Sequence, residues 1–157
     1  MAKYKVLFLC IGNSCRSQMA EGFARTYGTD VMEAQSAGLG PAIAVSPQTI
    51  DTMKEKDIDV SEAIPKGIDG VDRSGLSLIV NISGQKLPIR AVPMEDWDVR
   101  DPIGRDETVF RAVRDDIERR VMELILRLRA EQREEQGLPP QRGNARQRVD
   151  TWRGRFR

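Results

Sequence analysis

Residues 5–10, KVLFLC, form an apolar run that meets Gly12 and Asn13 directly and then passes into a helical pattern. A run this short, apolar at nearly every position, marks a strand buried on both faces of a parallel sheet. From Ser17 to Tyr27, the residues Met19, Ala20, Phe23 and Ala24 fall on one helical face, and Gly28 marks the end. Strand, tight loop and helix in this order commit the chain to an α/β fold.

The alternation continues. Val31 to Ala37 reads as a weaker strand ending at Gly38. Ser46-Pro47 opens a helix to about Lys56, with Ser46 as cap, Pro47 at the first helical position, and Ile50 and Met53 turned inward. Leu76 to Ile82 is a second buried strand, and Pro88 to Val92 a short edge strand. A long helix over about Thr108–Gln132 carries Val109, Val113, Ile117, Val121, Leu124 and Leu128 at spacings of three and four. Strands alternating with helices predict a parallel sheet covered on both faces.

The length of 157 residues suits one domain with a hydrophobic core. We read a catalytic domain over residues 1–132 and a basic tail over 133–157. From residue 138 onward there are six arginines against one aspartate, a net charge of +5, with Pro139-Pro140 and little to bury. That composition predicts disorder, while Trp152 and Phe156 leave room for docking or an acidic partner.

The whole chain carries a net charge of +1, which gives no bias towards nucleic acid or a membrane surface. No apolar run approaches the roughly 20 residues of a membrane helix. The start, MAKYKVLFLCIGN, lacks a signal-peptide pattern, so a cytoplasmic location is expected. Two cysteines are too few for a disulfide framework, and a reducing compartment keeps them as thiols at rest. Histidine is absent, which removes Cys–His and Ser–His pairs and most zinc sites. No metal is expected, and proton transfer falls to Asp, Glu, Lys, Tyr or Cys.

Both cysteines lie in CIGNSCRS, residues 10–17. If the amides of Ile11, Gly12, Asn13, Ser14 and Cys15 point inward, they join the unpaired amides at the helix start and cradle a tetrahedral oxyanion. Gly12 supplies backbone freedom and Asn13 tolerates a left-handed turn. Arg16 adds a planar fork for two oxyanion oxygens. Cys10 then lies at the floor of the cradle. A free cysteine titrates near pH 8.5, but at a helix N-terminus beside arginine the thiolate can dominate at neutral pH. Cys10 is therefore a nucleophile that needs no histidine, and Ser17 can donate to its thiolate. The curl of the loop also brings Cys10 and Cys15 together, so the pair is a candidate for reversible disulfide formation.

The stretch CIGNSCRSQMAEGF resembles the oxyanion loop and first helix of low-molecular-weight protein tyrosine phosphatases and the related thioredoxin-type arsenate reductases. SAGL at 36–39, DIDVS at 57–61 and EDWDVRDPIG at 95–104 followed by VFRAVRDDI extend the likeness over about residues 3–130. The resemblance implies a three-layer, doubly wound, four-stranded parallel sheet. It also implies Cys10 as nucleophile, Arg16 as oxyanion ligand, Ser17 as thiolate support and Asp101 as general acid. A carboxylic acid on a loop suits the last role in a chain without histidine, with Pro102 shaping the loop and Gly104 letting it bend.

Gln18, where the phosphatases usually have proline, is similar to the arsenate reductases. Ile103-Gly104 and Leu39-Gly40-Pro41 stand where phosphotyrosine phosphatases place aromatic residues, so a slot for a tyrosyl ring is poor. Against the reductase, Ser83 stands where that branch carries a resolving cysteine. A serine forms no disulfide, so reduction would need an external thiol or Cys15. Hydrolysis of a phosphomonoester through a phosphocysteine needs only Cys10, Arg16 and Asp101, so this activity ranks first on sequence. Arsenate reduction with an external thiol ranks second, and an oxyanion-binding regulatory module third. The partner in each case is a phosphate- or arsenate-type oxyanion, and no other cofactor is expected.

Overall fold

The computed structural model describes residues 3–141. Four strands, β1 (Tyr4–Cys10), β2 (Met32–Gly38), β3 (Leu76–Asn81) and β4 (Met94–Asp96), form one parallel sheet in the order β2-β1-β3-β4. Three α-helices accompany it: α1 (Arg16–Tyr27), α2 (Pro47–Lys54) and α3 (Glu107–Glu135). β1 is central, and its apolar run serves both faces. Val6 and Phe8 join the helical core with Met19, Phe23, Met53, Ile117 and Val121, whereas Leu7 and Leu9 pack on the opposite side. Period-two alternation in a two-sided strand produces this division.

Strand order also decides what covers each face. β1 leads to β2 in one direction, and β2 returns past β1 to β3. Right-handed crossovers place those two connections on opposite faces. The three helices pack together on the first face. A 3-10 helix over Ile68–Gly70 and the extended chain before β4 cover the second, where Ile68, Val71, Leu87, Ile89 and Val92 pack on Leu7, Leu9 and Ile79. The sheet is covered on both faces, with a largely non-helical second cover.

Some expectations change at this level. Pro88–Val92 is not a strand; the edge strand is Met94–Asp96. The ladder opens where the carbonyl of Pro93 accepts from the Ile79 amide at 2.9 Å, and Ile89 and Val92 are spent on the second cover. The side chain of Ser46 does not cap α2: its hydroxyl lies 2.9 Å from the side-chain oxygen of Gln48, and the helix ends at Lys54 rather than Lys56. α3 starts at Glu107 under a cap that sequence reading missed, the Asp106 carboxylate accepting from the Val109 amide at 3.1 Å. Phe110, rather than Val109, is the fully buried residue of its first turn. α3 reaches Glu135, three residues into the segment read as tail. Residues 142–157, including Trp152 and Phe156, lie outside the described residues.

Two ion-pair groups fasten α3 to the rest of the helical layer. Arg111 and the buried Arg114 share Glu55, just beyond α2, and Arg114 also donates to the carbonyl of Thr52 at 2.9 Å. Arg129 makes a two-pronged contact with Asp30 at 2.8 and 2.9 Å. Among the described residues no helix is long and apolar enough to cross a membrane.

Candidate active site

β1 and β2 end side by side, Cys10 opposite Gly38, and β3 ends next to β1 with Asn81 opposite Leu9. The chain leaves β1 towards β2 on one side and finds β3 on the other, so a crevice opens beyond the carboxyl end of β1. Parallel α/β sheets bind ligands at such switch points. The loop of residues 11–15 occupies this crevice and runs into α1.

The sequence of the loop does not by itself say which way its peptide groups point. The segment after β2 decides this. The amides of Leu39, Gly40, Ala42 and Ser46 donate to the carbonyls of Cys10, Ile11, Gly12 and Ser14 at 3.0, 2.9, 2.9 and 3.2 Å. Four carbonyls are thereby drawn outward, and the amides of the same loop are left to face its interior. Cys15, the N-cap of α1, makes no side-chain cap hydrogen bond, so the first-turn amides of that helix are not satisfied by their own cap. Inward amides and an uncapped helix start make a concavity suited to an anion.

Asn13 holds the loop's shape. It is completely buried and is the loop residue in the left-handed region, with φ of 52°. Gly12, expected to supply the backbone freedom, is not at positive φ, and a Cβ there would meet Ala42 at an ordinary 3.7 Å. The Asn13 amide donates to the sulfur of Cys10 at 3.2 Å. Its side-chain oxygen accepts from the Lys66 amide at 3.0 Å and from Gln18 at 3.1 Å. Because a backbone amide only donates, the Lys66 contact fixes which end of the Asn13 side chain is nitrogen. That nitrogen donates to Ser17 at 2.8 Å and to Ser36 of β2 at 2.9 Å. Ser17 is thus an acceptor from Asn13, and its own proton is directed to the Cys10 sulfur, 2.7 Å away. Two donors converge on Cys10, which is 2% exposed. Gly38 backs the loop so closely that a Cβ would lie 2.7 Å from the Ile11 carbonyl oxygen and 2.8 Å from the Asn13 nitrogen.

Arg16 is buried and oriented from outside the loop. Its Nη1 donates to the carbonyls of Ile82, just after β3, at 2.7 Å and of Val99 at 3.1 Å. With Nη1 committed, the donors on Nε and Nη2 are those offered to a ligand. Nη2 lies 3.5 Å from a carboxylate oxygen of Asp101, whose side chain is half exposed. The other Asp101 oxygen accepts from the Ile103 amide at 3.1 Å. The turn that follows closes with the Arg105 amide on the Pro102 carbonyl at 2.9 Å and has Gly104 at φ of 75°, the bend expected there. Buried Trp97 and Val99 anchor the approach to Asp101, Trp97 against Phe8 with ring centroids 5.9 Å apart.

Cys15 is buried beside three hydroxyls. Burial pushes its thiol up, against the opposing effect of hydrogen bonding with Thr49, Ser14 and Ser46. Ser83, expected in the place of a resolving cysteine, is fully engaged: its hydroxyl donates to Asn81 at 2.6 Å and accepts from the Gln85 amide at 3.1 Å. Cys10, Arg16, Ser17 and Asp101 are therefore brought together as expected, with Cys15 in the same loop. Gln18, Ser36, Gly38, Lys66 and the carbonyls of Ile82 and Val99 were missed. Gln18 alone carried a signal, as a polar residue next to Met19 at the buried start of α1. Among the described residues no cluster of three or more His, Cys, Asp or Glu could hold a metal ion.

Known proteins agree with this geometry. The glutaredoxin arsenate reductase of Synechocystis sp. is 38% identical over 129 residues, covering 79% of this chain and 98% of the relative. The arsenate reductase of Staphylococcus xylosus is 36% identical over 132 residues, covering 81% of this chain and all of the relative. Among solved structures, an arsenate reductase in the phosphate binding state superimposes with a TM-score of 0.70 at 35% identity, covering 80% of this chain and 98% of that one. The model for the low molecular weight phosphotyrosine protein phosphatases matches residues 5–134, and the chain belongs to that family.

Proposed function

We propose that the protein is an arsenate reductase that draws on an external thiol. The observation that carries this reading is the likeness, over most of the chain, to relatives named arsenate reductases. It reverses the order read from sequence, where hydrolysis stood first. The mouth supports it, since Ile43 and Ile103 are exposed there and no aromatic slot is built for a tyrosyl ring.

In this reading the inward amides and the free edge of Arg16 bind arsenate. The Cys10 thiolate, held by Ser17 and the Asn13 amide, attacks arsenic, and Asp101 gives a proton to the departing oxygen, which leaves as water. The product is a Cys10–arsenic(V) adduct. An external thiolate then attacks the Cys10 sulfur, a mixed disulfide forms, and the sulfur–arsenic electron pair stays on arsenic, which leaves as arsenite. A second external thiol releases Cys10, so two thiols become one disulfide for each arsenate reduced. The external source is required because Cys15 and Cys10 are the only cysteines and Ser83 is locked in a turn.

A second reading, phosphomonoester hydrolysis through a phosphocysteine, is favoured by Asp101 beside Arg16, which would serve the same leaving oxygen and then activate water. The test is one parallel assay. Arsenite release is measured with glutathione plus glutaredoxin and with thioredoxin, beside hydrolysis of para-nitrophenyl phosphate. Arsenite formed in step with oxidation of added thiol is the expected result. Hydrolysis without arsenite under either thiol system would replace the proposal by the second reading. Phosphate binding with neither turnover would reduce the protein to an oxyanion-binding module.

A further inference from the structure

Gln18 stands in the first turn of α1 with its side chain folded back towards the loop rather than out to solvent, and it is 1% exposed. Its side-chain nitrogen donates to both the carbonyl and the side-chain oxygen of Asn13, each at 3.1 Å. The opposite amide orientation is excluded, because it would set the Gln18 oxygen against two oxygens that only accept. As oriented, that oxygen is buried and unpartnered among the described residues. A buried, unpaired acceptor destabilises a fold, and an apolar side chain of the same size would fill this space without one. The contact with Asn13 is what sets glutamine apart here.

Asn13 is also the place where such a contact has most effect. Its left-handed backbone is a conformation that non-glycine residues leave readily unless neighbours hold it. Gln18 grips the Asn13 carbonyl, which the segment at 39–46 does not reach: that segment takes the carbonyls of residues 10, 11, 12 and 14 and skips 13. Gln18 therefore completes the outward tether of the loop. It also bonds the end of the Asn13 side chain that fixes the other end on Ser17.

We propose that Gln18 is a positioning residue for the Cys10 sulfur, acting through Asn13 to hold both the loop amide and the Ser17 hydroxyl on it. The role rests on the reading of Cys10 as nucleophile. It predicts that losing the Gln18 donor lowers the reactivity of Cys10 although Gln18 touches neither Cys10 nor the oxyanion.

The test uses the full chain with Gln18→Met, which keeps volume and removes the donor, and Gln18→Glu. The readout is the pH profile of Cys10 alkylation by iodoacetamide, followed by mass spectrometry of the loop peptide, with thermal melting alongside. Gln18→Met is expected to fold and to shift the profile to higher pH, lowering the rate at neutral pH about five-fold, the effect of one net hydrogen bond. Gln18→Glu regains a donor only when its carboxyl is protonated. Its alkylation at neutral pH is expected to be slower than that of Gln18→Met, with the gap closing as pH falls towards the carboxyl range. A wild-type profile in Gln18→Met, while Ser17→Ala shifts it, would overturn the proposal and leave Cys10 as the nucleophile. If Cys10→Ser retains turnover, the reading beneath the proposal fails instead. Should Gln18→Met not fold, Gln18→Glu still decides: a rate relative to wild type that does not change with pH also overturns the proposal.

Discussion

The hydroxyl of Ser17 lies 2.7 Å from the sulfur of Cys10 while accepting a hydrogen bond from the Asn13 side chain at 2.8 Å. Because Asn13 supplies a proton to that hydroxyl, the proton of Ser17 has one useful destination, the sulfur. A hydrogen bond to a charged partner contributes about 1.5–3 kcal/mol. Ser17→Ala should therefore slow the Cys10-dependent step by about 10- to 100-fold, with anion affinity much less affected. Single-turnover kinetics beside phosphate titration separates the two. An unchanged single-turnover rate would remove Ser17 from the chemistry.

Arg16→Lys should be nearly as damaging as Arg16→Ala. The guanidinium spends Nη1 on the carbonyls of Ile82 and Val99 and still has donors left for an oxyanion. An ammonium group cannot meet both demands in fixed geometry. Loss of this contact should cost on the order of 100-fold in rate. A lysine variant within a few-fold of wild type in steady-state assays would show that charge alone suffices.

Gly38→Ala should disturb the anion cradle from behind. The added methyl would approach loop backbone at 2.7 and 2.8 Å, and backbone cannot swing aside as a flexible side chain can. Overpacking of this kind typically costs about 1–3 kcal/mol. We expect a lower midpoint in urea unfolding together with weaker phosphate binding by calorimetry. Wild-type phosphate affinity in a folded Gly38→Ala protein would contradict the close approach.

Acid should weaken the tie between α3 and the start of β2. Hydrogen bonds from Arg129 hold the Asp30 carboxyl below its ordinary value. A depressed carboxylate stabilises the fold above its unfolded value, near pH 3.9, and the stabilisation is lost as pH falls through the lower, folded value. Both partners are substantially exposed, so the contribution at neutral pH is about 1 kcal/mol or less. The difference in melting temperature between wild type and Asp30→Asn should shrink as the pH is lowered from 7 to 3. A constant difference would place the effect elsewhere.

Peroxide should convert Cys10 to a sulfenic acid, which the Cys15 thiol then attacks, releasing water and leaving a Cys10–Cys15 disulfide. The two lie at opposite ends of the same short loop, although burial keeps Cys15 protonated and favours a slow second step. Wild type should recover with dithiothreitol and show a loop peptide lighter by two hydrogens, whereas Cys15→Ser should advance to sulfinic acid and stay inactive. Equal recovery of both proteins would exclude the protective bond.

Much of the site was legible because its parts are local. Cys10, Asn13, Arg16 and Ser17 lie on one strand–loop–helix unit, and their residue types carry anion binding and thiolate stabilisation at that spacing. The apolar run of β1 and the helical period of α1 announced the unit. The strand at Pro88–Val92 was misread because a short apolar run between prolines looks alike whether it joins a ladder or covers a sheet face. Pairing partners, not local pattern, separate the two.

The sequence by itself determined that one loop concentrates the thiols, the arginine and the left-handed asparagine between a buried strand and a helix. The tertiary structure decided how that loop is used. Parallel pairing of Cys10 with Gly38 brings residues 39–46 alongside, where their amides turn the loop carbonyls outward. The ends of β3 and of the segment before Asp101 then aim Arg16 through the Ile82 and Val99 carbonyls, 66 and 83 residues away in the chain. Such directions have no local signature, because backbone groups are the same at every position and only the register of distant strands determines which of them meet.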